Sequence, residues 1–154
     1  MRRKVLLFYM LLLFVSCDSP KIFEQTVFFE DLIWNRFNHI ELDVPIEDIN
    51  SSYDLKFRFV HTENYAADHI AINFTVYFSN GGMRSGDYVF TLQGDNLQWT
   101  GTKKNNTLTA DFPLLSGMRF PDTGISKMRI ENKMTKFNMT GIVGIGLVVE
   151  KSKE

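Results

Sequence analysis

Between Ile70 and Phe78 every second residue is a large apolar one. Ile70, Ile72, Phe74, Val76 and Phe78 alternate with Ala71, Asn73, Thr75 and Tyr77. A period of two puts one set of side chains on one face of an extended strand, whereas a helix would scatter them around its axis. The same period recurs along the chain. Tyr53, Leu55, Phe57 and Phe59 alternate with Asp54, Lys56 and Arg58, and Ile40, Leu42 and Val44 alternate with Glu41 and Asp43 up to Pro45. These runs are rich in β-branched and aromatic residues, as half-buried strands are. Five apolar side chains on one face make 70–78 the candidate central strand.

Turn residues punctuate the runs. Ser79-Asn80-Gly81-Gly82 predicts a hairpin, because Asn and Gly tolerate the positive φ of a tight turn. Tyr88, Phe90 and Leu92 form the return strand. Gly94-Asp95-Asn96 turns into a short strand, Leu97–Thr100, and Lys104-Asn105-Asn106 turns again before Leu108, Ala110 and Phe112. After Pro121 and Gly124, residues 126–134 alternate weakly, and the last strand is 142–150, with Ile145, Leu147 and Val149 on one side. No segment holds a helical period for long, and Asp31–Asn35 has room for one turn only. About eight strands with turn signals every 8–12 residues predict an all-β fold. The expected architecture is an antiparallel β-sandwich, Ig-like or jelly-roll-like. A chain of 154 residues with 44% hydrophobic and 14% aromatic content suits one domain with a real core.

The N-terminus reads as an address. Arg2, Arg3 and Lys4 precede an apolar run, Val5 to Val15, of 11 residues. As a helix that run spans roughly 16 Å, well short of a ~30 Å hydrocarbon core, so it fits a secretory signal better than a membrane span. Leu13-Phe14-Val15-Ser16-Cys17 follows the bacterial lipoprotein pattern. A small residue before the Cys admits the signal peptidase, and the thiol is the nucleophile that takes the lipid. Cys17, the chain's single cysteine, is therefore the expected lipidation site. Two or more acyl chains anchor a protein stably without a spanning segment. The expected organisation is a cleaved signal at 1–16, a lipid-attached tether at 17–38 with room for one edge strand, and a sandwich at 39–154. Asp18 occupies a position at which some bacteria read sorting between membranes, under rules that differ between lineages.

Charge narrows the partners. The whole chain has 17 cations against 18 anions. Loss of residues 1–16 leaves 14 against 18, a net charge of −4. Such a surface is not a nucleic-acid footprint and is not drawn to anionic headgroups, so the lipid carries the membrane attachment. No cofactor and no catalysis are expected. His61, Glu63, Asp68 and His69 fall close together around one predicted loop and could in principle ligate a metal, but a polar loop tip is the plainer reading. Gly141-x-x-Gly144-x-Gly146 opens a strand, so close sheet packing or a bulge explains it better than phosphate binding. Glu30-Asp31 and Glu47-Asp48 point apart if extended, and nothing in the sequence joins Asp87 to Asp111. Trp34, Asn64, Tyr65 and Trp99 are the candidate partner contacts. Core burial competes for Trp99, which shares a predicted face with Leu97.

The order of landmarks carries a family resemblance. Cys17 is followed by Trp34, Tyr53 opening a strand, Asn64-Tyr65, Asn73 in the central strand and the Asn80-Gly81-Gly82 turn. Then come Asp87, Trp99-Thr100-Gly101, Phe120-Pro121 with Gly124-Ile125, Met134, and Gly141-Ile142 with Gly146 leading into the last strand. This resembles the gliding motility lipoprotein GldH family of gram-negative bacteria over nearly the whole chain. The turn departs from the Pro-x-Gly expected there, and Gly144 stands where an acidic residue is usual. The resemblance implies a membrane-anchored, periplasm-facing envelope lipoprotein. It also implies a non-catalytic component of a gliding and secretion-associated machine, with envelope proteins of that complex as partners. The competing reading is an envelope lipoprotein that binds carbohydrate or another ligand through exposed aromatics.

Overall fold

Alternation in the sequence becomes alternation in burial. The computed structural model describes residues 20–153. In chain order the strands are β1 (Lys21–Phe28), β2 (Ile33–Asn35), β3 (Ile40–Ile46), β4 (Tyr53–Thr62), β5 (His69–Tyr77), β6 (Met83–Thr91), β7 (Thr102–Lys104), β8 (Thr107–Met118), β9 (Gly124–Asn132), β10 (Asn138–Thr140) and β11 (Ile142–Lys151). One sheet has the order β1-β11-β4-β8-β7 and the other β3-β9-β5-β6, with every pairing antiparallel. Their inner faces stack as a sandwich, and the short β10–β2 pair covers one end.

The core comes from the apolar sets read in the sequence. Leu55, Phe57 and Phe59 of β4 and Ile145, Leu147 and Val149 of β11 face Ile70, Ile72, Phe74 and Val76 of β5, with Leu42 and Val44 of β3 and Met128 and Ile130 of β9. Along the β6 edge the two sheets are joined by aromatic rings. Phe90 lies 5.6 Å from Phe57 and 4.8 Å from Phe112, centroid to centroid. The outer face of the five-stranded sheet is charge-paired instead. Arg58 holds Asp111 through two bonds of 2.7 Å and also reaches Glu24 of β1, while Lys56 pairs with Glu150 at 2.7 Å.

Eight strands are longer than three residues, but they are not the eight read from the sequence. Leu97–Thr100 is no strand. Leu97 adopts left-handed backbone (φ 61) and is 77% exposed, and its N–H bonds the Gly94 carbonyl in a tight turn. Only the Gln93–Trp99 bridge survives there, so Leu97 and Trp99 do not share a buried face. Lys21–Phe28, within the tether at 17–38 in which the sequence left room for one edge strand, is an eight-residue edge strand of the main sheet. A turn at Glu30–Asp31 then leads into β2.

β1 fits because β11 offers it glycines. A Cβ at Gly146 would stand 2.5 Å from the Gln25 carbonyl oxygen, and one at Gly144 would stand 2.9 Å from the Thr26 methyl. The strand pairs from Lys21 opposite Glu150 to Phe28 opposite Gly144. Its seven steps of about 3.3 Å carry the chain roughly 23 Å from one end of the sandwich to the other.

Two substitutions test this packing in denaturant. Phe74→Ala should cost about 3–5 kcal/mol, because a fully enclosed ring leaves a cavity. Gly146→Ala should cost about 1–3 kcal/mol by forcing β1 off β11. Unchanged midpoints would refute the face assignment or the close approach respectively.

Candidate functional site

The end of the sandwich opposite Lys21 gathers most of the residues singled out in the sequence. His61 is the last inward side chain of β4, and it has no exposed surface. Its ring lies 5.1 Å from Phe59, 4.8 Å from Trp99 and 5.5 Å from Tyr65. Nδ1 is 2.8 Å from the Thr62 carbonyl oxygen. A carbonyl only accepts, so Nδ1 carries the proton and Nε2 is left as a buried acceptor without a partner. Burial pushes the imidazole pKa below its ordinary value, against a smaller opposing pull from the Thr62 carbonyl.

The candidate contacts divide. Trp34 is buried, because β10 pairs across β2 and folds it over the end of the core. Its indole N–H donates to the Asn38 carbonyl at 2.7 Å, and Asn132 donates to the Trp34 carbonyl at 3.2 Å. Tyr65 is buried too, with its hydroxyl donating to the His69 carbonyl at 3.0 Å and its ring edge-on to Phe59. Trp99 is half-buried against His61. Of the four, Asn64 alone is exposed. Cys17 and residues 1–16, the expected signal, lie outside the described residues.

The acidic and histidine residues serve local structure. Glu63 pairs with Lys103 at 2.6 Å, Asp68 holds His69 Nδ1 at 2.7 Å, and His61 faces inward. Among the described residues no three His, Cys, Asp or Glu side chains come together as a metal site. Asp31 accepts from the Ile33 N–H. Asp48 accepts from the Ser51 hydroxyl, the Asn50 N–H and Lys151, and these donors lower its pKa to about 2. Asp87 accepts from Asn73 and lies on the other sheet from Asp111.

Sequence reasoning missed two features of this end. One is a hollow of about 390 Å³ lined by Ala66, Ala67, Ala71, Met134 and Met139, with His69, Lys133, Thr135 and Lys136 also around it. The other is an exposed aromatic pair. Phe37 and Phe137 meet edge to face at 5.4 Å and are 70% and 54% exposed. Both features are built by segments about 65 and 100 residues apart in the chain, which the β5–β9 and β2–β10 pairings bring together. Short-range periodicity carries no signal for either.

Fold and site together define an antiparallel β-sandwich with a polar, aromatic-lined end. The GldH lipoprotein family description matches residues 21–149, and the chain belongs to that family. It is accordingly a gliding-motility-associated lipoprotein, a membrane-anchored protein of the cell envelope. No curated protein matches the sequence. Among solved structures, a chain from infectious bursal disease virus Gx strain aligns with TM-score 0.34 and 14% identity, covering 85% of this chain and 32% of that one. A chain of dimeric latent PorU from Porphyromonas gingivalis aligns with TM-score 0.34 and 11% identity, covering 89% of this chain and 14% of that one. The chain thus spans a third or less of either protein, and superpositions this loose carry no argument about function.

The buried imidazole predicts a pH dependence. The unfolded chain protonates His61 near its ordinary value of 6.5, while the folded state resists until a lower pH. Its contribution to stability is therefore complete above 6.5 and is lost as pH falls through the lowered folded value. The carboxylates of Glu24, Asp48 and Asp68 are themselves shifted down and matter only at more acidic pH. Denaturation midpoints measured from pH 7.5 down to 5 should decline, and the decline should flatten in His61→Phe. Equal slopes in the two chains would refute the assignment.

Proposed function

We propose that Cys17 is acylated and that the sandwich is a non-catalytic docking component of the gliding and secretion-associated envelope machinery. The observation that carries this reading is the position of β1. It begins at Lys21, so three peptide units, spanning at most roughly 11 Å, separate Cys17 from Pro20. The end of the sandwich holding Lys21, Asp48 and Lys151 then stays beside the lipid surface, since Lys151 bonds both the Pro20 carbonyl and the Asp48 carboxylate. β1 runs away from that surface, and the end with Tyr65, Trp99 and the Phe37–Phe137 pair is offered to other molecules. Among the described residues no helix is long and apolar enough to cross a membrane.

Protein contact is favoured over sugar binding by the state of the tryptophans. A sugar platform needs an open aromatic face. Trp34 is enclosed and Trp99 packs on His61, so neither ring is free on both the strand and the solvent side. Of the exposed phenylalanine rings, Phe37 and Phe137 sit edge to face, and Phe28 stands at the end of β1.

Two measurements test the proposal. Cys17→Ala should abolish labelling by a fatty-acid analogue and leave precursor or soluble chain; unchanged labelling would remove the anchor. A photo-crosslinker at exposed Val89 or Asn64, in native cells, should capture motility or secretion proteins of the envelope. Glycan-array binding together with an absence of such neighbours would favour the carbohydrate reading instead.

A further inference from the structure

We infer that the hollow between residues 66–71 and 133–139 is a docking groove for an extended acidic segment of a partner protein, with carboxylate side chains beside apolar ones. The inference rests on the docking role proposed above and names the chemistry of the partner.

The first argument is an incomplete ladder. β9 runs beside β5 as far as Asn132, opposite Ile72. One residue on, the Lys133 N–H still donates to the Ala71 carbonyl at 2.9 Å. In an antiparallel strand the N–H and C=O of one residue point to the same side, so the Ala71 N–H also faces this gap. Its acceptor there is the Met134 thioether sulfur, at 3.2 Å. Sulfur is a weak acceptor on a stem with several rotatable bonds, and a peptide carbonyl would be a better partner for the same N–H. The start of β5 thus keeps a strand-pairing donor covered only by a movable side chain.

The second argument is the lining. Three alanines and two methionines make an apolar floor, and about 390 Å³ lies within the ordinary size of a binding cleft. Such a floor accepts an apolar side chain of an incoming strand.

The third argument is charge. Lys133 and Lys136 stand on the rim, both exposed, and neither belongs to an ion pair among the described residues. Most other lysines on the sandwich have a carboxylate partner. Glu131, two residues before Lys133, pairs with Arg129 at 2.8 Å, and Asp68 on the facing wall lies 2.7 Å from His69 Nδ1. Two free cations on a body of net charge −4 form a local exception that selects an acidic partner. The exposed Phe137 follows Lys136 directly and meets Phe37 edge to face, an aromatic pair of the type that dominates interfaces.

The test uses the full acylated chain in nanodiscs of phosphatidylcholine with methyl-labelled methionine. Five methionines follow Cys17, namely Met83, Met118, Met128, Met134 and Met139. The probe is a five-residue peptide, acetylated and amidated, that alternates aspartate with leucine and valine. Its control carries asparagine in place of aspartate. The Met134 and Met139 methyl signals should shift saturably with the acidic peptide while Met83 and Met118 stay in place. The asparagine peptide should bind at least fivefold more weakly, and Lys133→Ala with Lys136→Ala should erase that difference while leaving the other methyl signals unmoved. Absence of a shift at Met134, equal affinity for both peptides, or discrimination that survives the double substitution would each overturn the proposal. A Met134 shift produced by phosphatidylglycerol nanodiscs without peptide would assign the groove to anionic lipid and also overturn it. Crosslinks from Val89 and acylation at Cys17 are measured separately, so failure of the groove and failure of the docking role are told apart.

Discussion

The close approach of β1 to β11 sets the geometry of the whole molecule. Gly144 and Gly146 remove the two Cβ atoms that would collide with Thr26 and Gln25, and β1 closes the edge of the five-stranded sheet. That contact fixes where the chain enters the sandwich and the direction in which it runs along the sheet. Without it, residues 21–28 would be a slack tether and the body could take any orientation to a membrane. With it, Lys21 lies by Glu150 at one end and Phe28 by Gly144 at the other.

The two ends consequently differ in chemistry. At the Lys21 end, Asp48 gathers Ser51, Asn50 and Lys151, and Tyr53 donates to the Asp48 carbonyl at 2.7 Å. These bonds tie the loop after β3 to the end of β11. At the other end the inward aromatic column of β4 finishes on a histidine rather than a phenylalanine. His61 is covered by Trp99 and Tyr65, and its free Nε2 is a cost that an apolar residue would not carry. Beside it β9 parts from β5 early, and the loop that follows carries Lys133, Lys136 and Phe137. Stability is concentrated in the sheets, and the less regular end is where side chains remain unpaired.

Much of the fold was legible because burial on one face enforces a period of two. β3, β4, β5 and β9 each show it in residue order and again in burial, whereas β11 is buried without a break from Gly144 to Val149. β1 was legible only as room for an edge strand, because its burial runs in pairs, with Ile22 and Phe23 then Thr26 and Val27 half-covered around a register shift. Leu97 misled because a leucine in a left-handed turn mimics a strand residue. The site was less legible. Trp34 depends on Asn132 and Met139, each about 100 residues distant, and no local pattern reports such contacts. Tyr65 looked like a loop tip and is one, but its ring turns inward onto Phe59. Lys133 and Lys136 are unremarkable in sequence; only the neighbours that fail to reach them make them distinctive.

The central claim is that the lipid holds one end of the sandwich at the bilayer and presents the other to partner proteins. It is tested most directly by depth. A fluorophore at Glu47 or at Lys136 of the acylated chain can be compared in vesicles whose headgroups carry a quencher. Strong quenching at Glu47 with little at Lys136 is the predicted result. Quenching at Lys136 equal to or above that at Glu47 would contradict the account.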